Sequence, residues 1–127
     1  MSLSKYIHGI QHIGIPCENI EEAIRFYQEI AFDVVYQTVN ENQKVCFLQN
    51  ENLIIECYED KAVKVNGAIN HFAINTTEIE KVYTEMINKK MKMVEEKINY
   101  LPFWEKGVKF FTILGPNKEQ IEFCQKL

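Results

Sequence analysis

The chain has 127 residues, 46% of them apolar and 25% charged, and its formal net charge is −4. This is the size and composition of one globular domain with a hydrophobic core, which excludes a disordered or fibrous chain. The negative charge argues against nucleic-acid binding, and no apolar run approaches the ~20 residues that span a bilayer. Since the start also lacks a hydrophobic signal region, we expect a single cytoplasmic domain over residues 1–127.

The first half of the chain carries the signals of one strand, one helix and three further strands. Asn19, with Glu22 three residues later, is a helix N-cap signal, and the apolar residues that follow recur at helical spacing. Runs of β-branched and aromatic residues bounded by polar turns mark the strands. The predicted elements are a strand over 8–16, a helix over 20–30 and strands over 32–39, 45–48 and 53–58.

The second half repeats this order. Thr77-x-x-Glu80 is a capping box ahead of an amphipathic helix, and residues 115–118 read Gly-Pro-Asn-Lys, a turn signal between the last two strands. The predicted elements are a strand over 68–75, a helix through Ile79, Val82, Tyr83 and Met86, and strands over about 91–98, 107–114 and 119–126. This order predicts an α+β protein in which two βαβββ modules, about 6–62 and 67–127, form curved mixed sheets with the helices outside.

Two His and two Glu residues occupy matched positions in the two modules. His12 and His71 each open an apolar strand and are 59 residues apart, while Glu56 and Glu122 each follow an Ile in the closing strand and are 66 residues apart. Because side chains alternate across a strand, each of the four lies opposite an apolar face that a helix can cover. Two imidazoles and two carboxylates on such faces suit one divalent ion, with zinc, nickel, cobalt, iron and manganese as candidates.

A purely structural role is the alternative for each of these residues, since a single His or Glu in a strand usually lies in the core or at the surface. Their repetition at matched positions favours metal binding. His8 has no matched partner, and we expect it to face solvent. Cys17, Cys46, Cys57 and Cys124 show no C-x-x-C spacing, which favours reduced thiols over a disulfide framework or a thiolate zinc site.

Five segments carry a resemblance to a known family: His-Ile-Gly-Ile (12–15), Ala-Ile-Arg-Phe-Tyr (23–27), Ile-Ile-Glu (54–56), Asn-His-Phe-Ala-Ile (70–74) and Gly-Pro-Asn-Lys-Glu-Gln-Ile-Glu-Phe (115–123). From about Tyr6 to Lys126 the chain resembles the vicinal oxygen chelate superfamily, which has the glyoxalase and bleomycin-resistance fold. The ligand order His, Glu, His, Glu is similar to that of glyoxalase I, the lactoylglutathione lyases. Gly115 and Lys118 stand where the family's last turn has Asp and Gly, and these departures leave the ligand position intact.

The resemblance implies a lyase or isomerase that removes a proton from the carbon next to a carbonyl. The metal ion would hold the two neighbouring oxygens of a hemithioacetal, Glu122 would take the proton, and Glu56 would serve the other face. The chemistry agrees, because a cation stabilises the negative oxygen that forms and a carboxylate beside it is within reach of the proton.

The residues with which the family binds glutathione are replaced in this chain. Glyoxalases of this type carry an Arg four residues after the first His and an Asn four residues after the first Glu, where this chain has Pro16 and Asp60. Neither residue can replace the guanidinium fork of an Arg at a carboxylate. Another thiol or a different carbonyl substrate therefore stays open.

Other functions are alternatives to a reaction of the glyoxalase I type. An epimerase of the methylmalonyl-CoA type would use similar enolate chemistry on a thioester, but that family usually has Gln where this chain has Glu56. Thiol transfer, as in fosfomycin resistance, and extradiol dioxygenation need three ligands only. A non-enzymatic binding protein of the bleomycin-resistance kind needs none, so the four ligands argue against it.

The substrate pocket is predicted to include Cys124, Phe103 and Trp104. Alternation along the last strand puts Cys124 on the face of Glu122, where we expect a pocket wall rather than a nucleophile. Phe103 and Trp104 lie in the loop that lengthens the second module, and such loops often cover ligands; packing against the protein or a partner subunit is the alternative. We expect a homodimer, with the ligands supplied by one chain or by both.

Overall fold

The structure of the protein is a computed structural model that describes residues 3–6, 8 and 10–127. The chain divides into two units, Met1–Ala62 and Val63–Leu127. Each unit contains a mixed sheet with one helix packed on it, which confirms the α+β class and the two-module architecture. That the two units form a single domain stays a prediction.

Unit 1 is a four-stranded sheet covered by one helix. Its elements are β1 (Ile13–Cys17), α1 (Ile20–Glu29), β2 (Asp33–Asn40), β3 (Gln43–Asn50) and β4 (Leu53–Glu59). The strand order is β1-β4-β3-β2, with β1 parallel to β4 and the other pairs antiparallel. The helix buries Ile20, Ala23 and Tyr27, and the sheet buries Leu48 and Ile55, so the core lies between them.

Unit 2 repeats this arrangement with a broken edge strand. Its elements are β5 (Phe72–Asn75), α2 (Ile79–Asn88), β6 (Lys92–Met93), β7 (Asn99–Leu101), β8 (Val108–Leu114) and β9 (Gln120–Lys126). The order is β5-β9-β8-β6, with β7 also paired to β8 and β5 parallel to β9. Ile79 and Met86 of the helix are buried, as are Phe111, Ile113 and Ile121 of the sheet.

The two helices start differently. In α1 the side chain of Asn19 accepts a hydrogen bond from the backbone N–H of Glu22 at 2.9 Å, which confirms the predicted cap. The predicted capping box at Thr77 is wrong, because the N-cap residue of α2 is Glu78, which makes no side-chain cap bond. A side chain from the closing strand serves instead: Gln125 Oε1 accepts from the N–H of Ile79 at 2.9 Å.

Unit 1 has a weaker version of the same contact between a helix start and a closing strand. Glu59 Oε2 lies 3.4 Å from the N–H of Ile20. Glu59 and Gln125 stand three residues after Glu56 and Glu122 respectively. Each closing strand therefore carries a candidate metal ligand and, three residues later and on the opposite face, a group that contacts the first turn of the helix.

Three predicted strands differ from those in the structure. The strand over 8–16 begins at Ile13, and the strand over 68–75 begins at Phe72; Gly9 and Ile7 lie outside the described residues. The strand over 91–98 is wrong as a single element and is replaced by β6 and β7. Between them, the Glu95 carboxylate accepts a hydrogen bond from the N–H of Thr112 at 2.9 Å, so a side chain replaces the backbone of the edge strand.

No disulfide joins any of the four cysteines, all of which lie in the described part of the chain. Cys17, Cys46 and Cys57 are buried on the helix side of the unit 1 sheet, where they fill space in the core. Over the same described residues, no helix is both long enough and apolar enough to cross a membrane.

Candidate metal centre

The first His–Glu pair, His12 with Glu56, forms where the edge strand β1 runs parallel to the closing strand β4. Gly14 of β1 is in register with Glu56, and His12 stands two residues before Gly14. His12 Nε2 lies 3.3 Å from Glu56 Oε1, and the Glu56 side chain is 26% exposed. The Phe47 ring, opposite Glu56 on β3, packs edge-on against the His12 ring at a centroid distance of 5.5 Å.

The second His–Glu pair, His71 with Glu122, is built in the same way in unit 2. Ala73 of β5 is in register with Glu122 of β9, again two residues after the His. His71 Nε2 lies 3.4 Å from Glu122 Oε1, and the Glu122 side chain is only 18% exposed. Its cross-strand neighbour on β8 is Thr112, so the second pair has a polar residue where the first has Phe47.

Each His ring is held on its other side by the residue before it. His12 Nδ1 lies 2.8 Å from Gln11 Oε1, and His71 Nδ1 lies 3.0 Å from Asn70 Oδ1. An amide oxygen can only accept, so a ring that makes this hydrogen bond donates from Nδ1, and Nε2 is the nitrogen that is left to bind another partner. This is the tautomer in which a His binds a metal ion through Nε2. Sequence reasoning missed both amides, although an amide residue precedes each His in the repeat.

The spacing within each pair fits two ligands of one ion. Two donor atoms bound at about 2.1 Å, with about 90–110° between the bonds, lie roughly 3.0 to 3.4 Å apart. The distances of 3.3 and 3.4 Å fall in this range. Among the described residues, no group of three or more His, Cys, Asp or Glu side chains is gathered closely enough to hold a metal ion. The structure thus gives two His–Glu pairs, one in each unit.

Cys124 contacts Glu122, as alternation along β9 requires. Burial, the charge of Glu122 and a hydrogen bond with its carboxylate all raise the pKa of the Cys124 thiol. A thiol with a raised pKa is a poor nucleophile, because the reactive form is the thiolate. The raised pKa thus favours the predicted role of Cys124 as part of a pocket wall over a role as a nucleophile.

The other two predicted pocket residues lie in the loop between β7 and β8. Phe103 is 55% exposed and Trp104 is 72% exposed. Trp104 packs against the end of β9, where Lys126 Nζ lies 4.0 Å from the centre of its ring. His8 is exposed and lies outside the helices and strands, and its predicted place in a strand is wrong.

Comparison with known proteins gives a family, a protein of similar sequence and solved structures of similar fold. Residues 9–123 match the Glyoxalase/Bleomycin resistance protein/Dioxygenase superfamily. An uncharacterized protein of Bacillus subtilis, YwbC, is 29% identical, and the match covers 92% of this chain and 97% of that protein.

Solved structures share the fold at low identity. A glyoxalase family protein from Enterococcus faecalis has a TM-score of 0.78 at 17% identity and covers 94% of this chain and 98% of its own. The fosfomycin resistance protein FosX from Listeria monocytogenes, solved with Mn(II) and sulfate, has a TM-score of 0.76 at 16% identity and covers 95% of this chain and 94% of its own.

Proposed function

This chain belongs to the Glyoxalase/Bleomycin resistance protein/Dioxygenase superfamily, and we propose that it is a metal-dependent enzyme of the glyoxalase I type. The reaction is a lyase or isomerase reaction that begins with proton abstraction next to a carbonyl. The observation that carries the proposal is the pair of matched His–Glu contacts, with N···O distances of 3.3 and 3.4 Å. His12, Glu56, His71 and Glu122 together hold one divalent ion.

The ion is one of the divalent cations that combine imidazole with carboxylate ligands: nickel, zinc, cobalt, iron or manganese. Mn(II) in FosX, a protein with a similar fold, supports manganese as one candidate. When bound, the ion supplies positive charge that stabilises the negative oxygen formed as the neighbouring carbon loses its proton.

Glu122 acts as the general base in this proposal. It is the less exposed of the two carboxylates, at 18% against 26% for Glu56. Its Oε atom takes the proton from the substrate carbon and returns it to the adjacent carbon, while the hydroxyl proton moves to the neighbouring oxygen, so that a hemithioacetal becomes a hydroxy thioester with no net oxidation. Glu56 faces the opposite side of the substrate. Cys124 forms part of the pocket wall beside Glu122.

The substrate is a hemithioacetal or a related thioester, and the protein acts as a cytoplasmic homodimer. Absence of the family's Arg, with Pro16 in its place, favours a thiol other than glutathione. Light scattering at micromolar concentration should give twice the chain mass, and the mass of one chain would contradict the dimer.

Elemental analysis followed by an assay with methylglyoxal and a series of thiols tests the function. We expect a stoichiometric divalent metal and turnover that stops on chelation. Glu122→Gln should lower the rate about 10²- to 10⁴-fold, as is usual on loss of a general base. The matched control is Glu96→Gln, an exposed residue of the same unit, which should leave the rate unchanged.

Two further substrates separate the alternatives. Turnover of methylmalonyl-CoA alone would replace the lyase with an epimerase. Consumption of fosfomycin alone would indicate a resistance enzyme like FosX, which has a similar fold. A protein without metal and without turnover of any of these substrates would contradict the enzymatic proposal.

A further inference from the structure

We propose that Lys126 and Trp104 form an anion-binding anchor for the tail of the substrate, an inference that rests on the proposed function for the position of the reacting carbon. Lys126 Nζ lies 4.0 Å from the centre of the Trp104 ring. Among the described residues, no carboxylate forms an ion pair with Lys126. The indole face holds the ammonium group in place by a cation–π contact, and the N–H donors that point away from the ring stay available for an anion.

Strand alternation puts this lysine on the face that carries the candidate base. Glu122, Cys124 and Lys126 are alternate residues of β9, and the contact between Cys124 and Glu122 agrees with that shared face. Four residues of strand span about 13 Å. An anion bound at Lys126 would therefore lie about 13 Å along the strand from a carbon that reacts at Glu122.

Backbone conformation and one hydrogen bond fix the loop that carries Trp104. Trp104 has a φ of 63°, in the left-handed region that an L-residue enters only at a cost in free energy. Gly107 has a φ of 90°, and the Tyr100 ring occupies the space that a Cβ at Gly107 would need. Gly107 O accepts a hydrogen bond from the N–H of Leu127 at 3.0 Å, which ties the end of the loop to the end of β9.

An open cleft of about 450 Å³ lies at this point, lined by Trp104, Glu105, Lys126 and Leu127. It combines an exposed aromatic face with a cation, which suits a ligand that has both an apolar stem and a negative end.

Fluorescence provides a direct test, because Trp104 is the single tryptophan of the chain. The purified protein, with and without chelator, is titrated with S-methylglutathione, which ends in carboxylates, and with S-methyl-coenzyme A, which carries phosphates. Neither probe can react. We expect a saturable change in Trp104 emission with at least one of them, weakened by added salt, and the probe that binds identifies the anionic group.

Variants at position 126 test whether the ammonium carries the binding. Lys126→Met should weaken binding about tenfold or more, since a hydrogen bond to a charged group is lost, and Lys126→Arg should retain it. Lys109→Met is the matched control, because Lys109 pairs with Glu80 at the start of α2, and it should bind the probe normally.

Emission that responds to neither probe, or equal binding by Lys126→Met, would overturn the anchor. The same preparation is assayed for metal and turnover, which separates the two proposals. Probe binding without metal or turnover supports the anchor and contradicts the proposed function, whereas turnover without probe binding contradicts the anchor alone.

Discussion

An amide oxygen at the Nδ1 side of each candidate His decides what the ring can do. Gln11 and Asn70 lie at Nδ1 of His12 and His71, and Nε2 of each ring lies next to Glu56 or Glu122. Partners of this kind fix the tautomer and the ring orientation of metal-binding His residues. Both rings have an amide oxygen at Nδ1, although the side chains of Gln11 and Asn70 differ in length by one methylene.

Removing these amides should weaken metal binding without removing a ligand. We expect Gln11→Ala and Asn70→Ala each to lower the affinity for a divalent metal about 10- to 100-fold, measured by competition with a coloured chelator. ¹⁵N NMR of the metal-free variants should show a loss of the tautomer protonated at Nδ1. Gln28→Ala, an exposed amide on α1, is the control. Affinity and tautomer both unchanged in the two variants would show that the amides play no such role.

Sequence patterns predicted the four candidate ligands but could not predict their partners. The repeat compares positions along the chain, so it identified His12, Glu56, His71 and Glu122. The contact of Phe47 with His12 and the pairing of Thr112 with Glu122 depend on the register of β3 and β8, which periodicity does not set. Gln11 was visible in the sequence, but its hydrogen bond depends on the backbone ahead of β1.

At the scale of the elements, the helices show how a local signal can be correct in one unit and wrong in the other. Asn19 caps α1 by its own side chain, whereas α2 begins two residues after Thr77 and takes its cap from Gln125. Gln125 follows α2 by some forty residues, so no local pattern could reveal the contact. The break between β6 and β7 has the same origin, since Glu95 bonds to Thr112 on another strand.

The two cap positions give a matched test by chemical denaturation. Asn19→Ala should lower the free energy of unfolding by about 1 kcal/mol, the usual cost of a lost N-cap bond. Thr77→Ala should change it by less than about 0.5 kcal/mol, as an exposed residue outside such a bond does. Equal losses in the two variants would mean that Thr77 caps α2 after all.

For the whole molecule, the ion that we propose would need the His–Glu pairs of both units. The purified protein should therefore bind one divalent ion per chain. His12→Ala and His71→Ala should each abolish stoichiometric binding, because two or three ligands hold an ion far less tightly than four. Metal content by mass spectrometry and the rise in melting temperature with added metal measure this.

Independent pairs would behave differently. Each single variant would then keep one ion, and the double variant His12→Ala/His71→Ala would lose twice as much binding as either. A replacement of the exposed His8 by Ala is the control, since it should retain the full metal content. Two ions per chain in the unmodified protein would contradict the shared centre.

The position of β9 within its sheet has a consequence for biosynthesis. This strand is translated after every other element of unit 2, yet it lies between β5 and β8 and bonds to both. While the ribosome is still making it, β5 has no neighbour and β8 exposes a bare edge, the kind of surface that invites pairing with another nascent chain. Unit 1 passes through the same stage earlier, when β4 enters between β1 and β3. Correct pairing in unit 2 should thus depend on how quickly β9 enters the space between β5 and β8, before the exposed edge of β8 pairs with another chain.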